Sequence, residues 1–112
     1  MDSRLIYTST DHLKSSIAWQ GNAENEWTYF DVSLARHIDF LYTVVNDFLE
    51  GDTLYLVRQR NTSEALKKAQ LRSSLEKLAG KEDFSFWNID LNAAVEFSRI
   101  SVFRKGRLEK GR

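Results

Sequence analysis

The chain contains no cysteine and no proline, and only five glycines in 112 residues. Without cysteine there are no disulfides, thiolate zinc sites, iron–sulfur clusters or cysteine nucleophiles. That fits a reducing compartment. No apolar run approaches the roughly 20 residues that a membrane span needs. The opening stretch MDSRLIYTSTDHLK lacks the basic start and apolar run of a secretory leader. The expectation is therefore a cytoplasmic protein without a membrane partner.

Motifs that carry chemistry are equally scarce. Gly106 and Gly111 are too isolated for a phosphate loop, and no Gly-Lys-Ser/Thr follows a strand. No Gly-x-Ser-x-Gly elbow is present. His37 and Asp39 stand two apart on a helical stretch and point away from each other, and no His-x-x-x-His pair occurs. The two histidines, His12 and His37, make a phosphodiesterase-type acid–base pair only if the fold converges them. The reading leans away from an enzyme, with no catalytic residue, metal or cofactor assigned.

Aromatic residues are plentiful, with three Trp, four Tyr and seven Phe. A disordered chain is poor in these. Length and composition predict one α+β domain over residues 1–112. Residues 4–8, RLIYT, read as a short strand. The stretch 11–20 fits either a short helix capped by Thr10 or a strand, SIAWQ, in a hairpin with WTYFDV across the turn-like GNAENE. Leu34, Ile38, Leu41, Val45 and Phe48 recur at steps of four and three, predicting a helix over 33–50. Ser33 or Asp31 can cap it, and Gly51 suits its C-terminus.

The apolar run in DTLYLVRQR predicts a strand covered on both faces, near the sheet centre. Asn61 and Glu64 resemble a capping box opening a helix to Ala79, with Leu71, Leu75 and Leu78 on one apolar face and Leu66 off it. FSFWNID reads as a strand. VEFSRISVFRK reads as one long final strand whose alternation slips near Ser98. The predicted order is β-β-β-α-β-α-β-β. It implies a two-layer sandwich, with a mixed or antiparallel sheet of about five to six strands packed by two helices.

Charge is the other signal. The net charge is zero, but residues 1–56 hold nine acids and three bases, and residues 57–112 hold thirteen bases and seven acids. If strands 53–60 and 95–104 are neighbours, Arg58, Arg60, Lys67, Lys68, Arg72, Arg99, Arg104, Lys105 and Arg107 make one basic face. With Trp87, Phe97 and Phe103 nearby, such a face can neutralise phosphates and stack bases. The ending VFRKGRLEKGR reads as a basic tail over 104–112 that can turn at Lys105–Gly106, and it fits a solvated chain end, a protein-docking arm or a nucleic-acid arm. Asp47, Glu50 and Asp52 crowd the end of the 33–50 helix, against its dipole. They fit a solvated helix end or, as the sharper reading, a cation site or an acidic docking site for a basic partner; the acidic half of the chain also suits the basic half of a second copy, which gives a homodimer. The leading expectation is a non-enzymatic protein-binding module of the inhibitor, immunity or adaptor kind. The alternative is a nucleic-acid binder using the basic face and arm.

Overall fold

The computed structural model describes residues 2–20, 27–31 and 35–109. It is an α+β fold built on a seven-stranded, wholly antiparallel sheet. In chain order the elements are α1 (Ser3–Lys14), β1 (Ile17–Trp19), β2 (Thr28–Tyr29), α2 (Ala35–Phe48) and β3 (Thr53–Val57). They continue with β4 (Glu64–Lys67), a 3-10 turn (Lys68–Gln70), α3 (Leu71–Leu78), β5 (Phe84–Asn88), β6 (Ala93–Ser98) and β7 (Val102–Leu108). The sheet order is β1-β7-β6-β5-β3-β4, with β2 also paired to β7.

Strand alternation sorts the sheet into two faces. Leu54, Leu56, Phe84, Phe86, Val95, Phe97 and Phe103 point to one side, where α2 and α3 cover them. This sheet-plus-helices pair is the expected two-layer sandwich. At its centre, Phe97 stacks on Phe84 at 4.7 Å and meets Phe30, Phe86 and Phe103. Tyr55, Val57, Trp87 and Ala94 point to the other side, where α1 lays Ile6, Tyr7 and Leu13 across part of the sheet.

The first element departs from expectation. RLIYT is helix, not strand. Asp2 caps α1 by accepting the Leu5 N–H at 2.9 Å, and Ile6, Thr10 and Leu13 recur at helical spacing. Thr10 buries its hydroxyl by donating to the Ile6 carbonyl at 2.9 Å. The five-residue stretch has strand composition, but its periodicity is visible only over twelve residues. β1 and β2 do occur, yet they do not form a hairpin together. Both lie along the same flank of β7, β1 against 106–108 and β2 against 102–103. An isolated two-stranded ribbon is marginal, whereas β7 is already backed by β6. The GNAENE stretch, Ser33 and Leu34 lie outside the described residues.

α2 follows its predicted stripe, burying Ile38, Leu41, Val45 and Phe48. Gly51 then adopts φ +92°, the left-handed conformation expected beyond a helix end. Lys68 Nζ donates to the Asn46 carbonyl at 3.0 Å and to that of Leu49, placing a cation on the free carbonyls of this end. The expected 61–79 helix begins late. Glu64–Lys67 is an edge strand, and Leu66 is buried opposite Leu54. Its misfit to the helical stripe was the sign of this. No Asn61–Glu64 box forms. Instead Ser63 Oγ accepts the Arg58 N–H and donates to the Gln59 carbonyl, tightening the β3–β4 turn. Leu71, Leu75 and Leu78 share the buried face of α3 as predicted.

The slip near Ser98 is neither a bulge nor double coverage of one strand. It is a hairpin. β6 and β7 pair from Ser98↔Val102 onward, and Ser101 takes φ +66° in the turn. β3 is next to the sheet edge rather than at its centre, though both its faces are covered. Among the described residues, no helix is long and apolar enough to cross a membrane.

Candidate functional site

Where α1 leaves the sheet uncovered, a groove of about 480 Å³ opens. Tyr7, Thr10, Asp11 and Lys14, spaced to share one side of α1, form one wall. Ser85 and Trp87 from β5, and Glu96 and Ser98 from β6, form the floor. Trp19, the last residue of β1, and Trp27, just before β2, close the far side with Arg104 of β7 between them. All three tryptophans of the chain therefore line one groove.

Its charges are matched within the fold. Glu96, with its side chain only 14% exposed, takes Arg104 Nε on Oε1 at 2.7 Å and Lys14 Nζ on Oε2 at 2.6 Å. The Arg104 guanidinium lies 4.1 Å from the Trp19 ring centre and 4.5 Å from that of Trp27, a double cation–π contact. Arg58 binds Glu82 through two N–H donors at 2.8 and 3.2 Å, and this hydrogen bonding raises its already high pKa. Asp83 accepts the Arg99 backbone N–H at 2.8 Å and its guanidinium at 3.2 Å. The backbone bond is the main reason that the Asp83 pKa is lowered, with the side-chain bond next. The same pairing raises the pKa of Arg99. Trp87 Nε1 donates to Ser85 Oγ at 3.1 Å.

Asp83 gives a pH prediction. A lowered folded-state pKa contributes stability above the unfolded value of about 3.9, and that contribution is lost as pH falls through the folded value. Asp83→Asn should therefore be less stable than wild type at neutral pH, with the difference closing below about pH 3.9. Denaturant melts at several pH values check this. The site is exposed, so the effect is small, and a difference independent of pH refutes it.

The predicted basic face is dispersed. β5 lies between β3 and β6, so strands 53–60 and 95–104 are not neighbours. Arg58 and Arg104 face the groove with Glu82 and Glu96 as partners. Arg99 lies at the β6–β7 turn with Asp83. Arg72, on α3, pairs with Asp39 of α2 and Glu76. Lys67 reaches Thr53 Oγ1 on the β4 edge, and Arg60 is exposed in the β3–β4 turn. Lys105 and Arg107 belong to β7 and lie over the Phe48 ring, on the α2 side. Of the expected arm, 104–108 is strand, and Lys110 and Arg112 lie outside the described residues.

Asp47, Glu50 and Asp52 are exposed around the end of α2, as the sequence placed them. Lys68 and Arg107 both reach carbonyls of that same helix end. His12 and His37 stand on α1 and α2, on opposite faces of the sheet, so they do not converge. His37 Nδ1 accepts the Asp31 N–H at 2.6 Å. Phe97 and Phe103 are buried among core aromatics. Trp87 is 2% exposed and packs on the other face.

Sequence reasoning missed Trp19 and Trp27 as site residues. Each lies in or beside a strand of three residues or fewer, too short for its face to be read. Among the described residues, no cluster of three metal-ligating side chains occurs. The chain matches no protein-family model, no curated protein and no solved structure.

Proposed function

We propose that the chain is a non-enzymatic protein-binding module and that the tryptophan-lined groove on the α1 face is where it takes its partner. The observation that carries this is the gathering of Trp19, Trp27, Trp87 and Arg104 around one open cavity. Trp, Tyr and Arg are the residues that dominate interface energetics, and they do so in pockets ringed by weaker contacts. Tyr7 and the exposed Tyr29, paired opposite Val102 on β7, extend the aromatic surface.

The nucleic-acid alternative has less behind it. Arg58, Arg72, Arg99 and Arg104 already hold carboxylates. Phosphate binding requires cations that can release counterions, and these would first have to break internal pairs.

The test compares immobilised wild type with Trp19→Ala and Ser98→Tyr in a lysate, beside titrations of mixed-sequence RNA and DNA at two salt concentrations. Ser98→Tyr adds a ring to the groove and gives up only the long Ile100 N–H contact to Ser98 Oγ at 3.4 Å, so it covers the case in which Trp19→Ala unfolds. The expected outcome is a protein retained by wild type and lost from both variants, with no salt-sensitive nucleic-acid binding. Retention unaffected by either variant, or nucleic-acid binding that falls steeply with salt, overturns the proposal.

A further inference from the structure

Resting on that assignment, we infer that the groove receives one uncharged side chain, aromatic or branched aliphatic, from an exposed segment of the partner protein. Among the described residues, every charged group lining the groove except Asp11 is engaged in an ion pair, and with those partners the set sums to zero: Lys14, Arg58, Arg99 and Arg104 against Asp11, Glu82, Asp83 and Glu96. Lys14 and Arg104 share Glu96, Arg58 holds Glu82, and Asp83 holds Arg99. Asp11 is exposed on α1, at the groove's outer wall, where water screens it.

A charged side chain entering this space loses its hydration and finds, among the described residues, no net charge of either sign to replace it. That is the costly case for burying an ion. An uncharged side chain loses little and gains the ring surface that the half-buried Trp19 and Trp27 leave beside Arg104, with the buried Trp87 beneath. Aromatic side chains bury roughly 150–250 Å² each and favour edge or offset contacts with other rings. The cavity, about 480 Å³, falls in the roughly 300–1,000 Å³ range of sites that enclose small groups.

The hydroxyls on the floor have a role in this. Ser85 Oγ accepts from Trp87, and Ser98 Oγ accepts the Ile100 N–H. Each still has its own O–H to donate. Two donors on an otherwise matched surface suit the carbonyls flanking the inserted side chain, or a tyrosine hydroxyl at its tip. They do not supply the full charge that would recognise a carboxylate.

The experiment uses the full chain, ¹⁵N-labelled, and follows the indole N–H resonances of Trp19 and Trp27. The probes are N-acetyl-tyrosinamide, N-acetyl-leucinamide, N-acetyl-argininamide, N-acetyl-aspartamide in its ionised form, and methyl glucoside. The tyrosine and leucine amides should shift these resonances saturably in the millimolar range expected of a single residue. The charged amides should need concentrations at least about tenfold higher. Ser98→Tyr should abolish the shifts.

Equal or tighter binding of either charged amide overturns the inference in favour of charge recognition. Tighter binding of methyl glucoside overturns it in favour of a carbohydrate site. Shifts that survive Ser98→Tyr place the ligand elsewhere and overturn it too. If no probe binds while a lysate partner is still lost from Trp19→Ala and Ser98→Tyr, side-chain insertion is wrong and the protein-binding assignment stands. If the partner is indifferent to both variants, the assignment itself falls.

Discussion

Phe97→Ala should cost the fold about 3–5 kcal/mol, the range for emptying a buried aromatic site. Phe97 is 1% exposed and touches four other phenylalanine rings, with Phe84 stacked at 4.7 Å and nearly parallel. The cavity cannot collapse readily. Phe84, Phe86 and Phe103 are held on strands fixed by backbone ladders on both sides, and the fourth, Phe30, follows β2. A domain of this size has only about 5–15 kcal/mol in total, so the loss is a large fraction of the whole. At roughly 4–8 °C per kcal/mol, the thermal midpoint should fall by more than about 12 °C. Phe97→Leu, which keeps most of the volume, should cost less than half as much. Midpoints within about 2 °C of wild type for Phe97→Ala would mean that this cluster is not the core.

Gly106→Ala is the second large effect. Gly106 lies in β7, opposite Trp19 of β1 and Ala94 of β6. A Cβ built there would come 2.4 Å from the Ala18 carbonyl oxygen, 2.7 Å from Ile17 Cγ2 and 2.8 Å from Trp19 Cα. Two of these atoms are backbone, so no rotamer change relieves the contact. β1 must move away from β7, taking Trp19 off Arg104. Overpacking of this kind costs roughly 1–3 kcal/mol and more where backbone is displaced. Differential scanning calorimetry should show the loss, and tryptophan emission should shift to the red as Trp19 is hydrated. Gly51→Ala is the control. It meets no atom within 4 Å, and its cost is the strain of φ +92° alone, about 1 kcal/mol. Equal stability for the two variants would contradict the close approach of β1.

The parts of this architecture that were legible in the sequence are those with long, regular periodicity. The α2 stripe from Ile38 to Phe48 and the α3 triad Leu71, Leu75 and Leu78 repeat often enough to fix a face. The strand FSFWN was legible for the same reason. RLIYT was misread because five residues of strand composition outweighed a helical repeat that needs Thr10 and Leu13 to be seen. Glu64–Lys67 was misread because a cap-like Asn61 and Glu64 preceded a true helix. Only the stray Leu66 marked the four-residue strand between them.

The groove was the least legible part. Its residues come from α1, β1, β3, β5, β6 and β7 and from beside β2, so the sequence separations between its walls are long. Trp19 and Arg104 meet only because β1 runs antiparallel to β7. No local pattern announces a pairing between residue 19 and residue 106. The same holds for charge. Half-to-half asymmetry pointed to a basic face, but insertion of β5 between β3 and β6 separated its members, and local carboxylates engaged four of them.

The proposed binding at the tryptophan groove has a direct spectroscopic signature. Its most direct test is the map of resonances that shift when a protein retained by the wild-type chain is titrated into the labelled chain. With the partner in the groove, the indole signals of Trp19, Trp27 and Trp87 should move together with the backbone of Ser85, Glu96 and Ser98, while α2 and α3 stay unchanged. Shifts centred on Arg60, Lys67 and Arg72, or on Asp47, Glu50 and Asp52, with all three indoles unmoved, would contradict it.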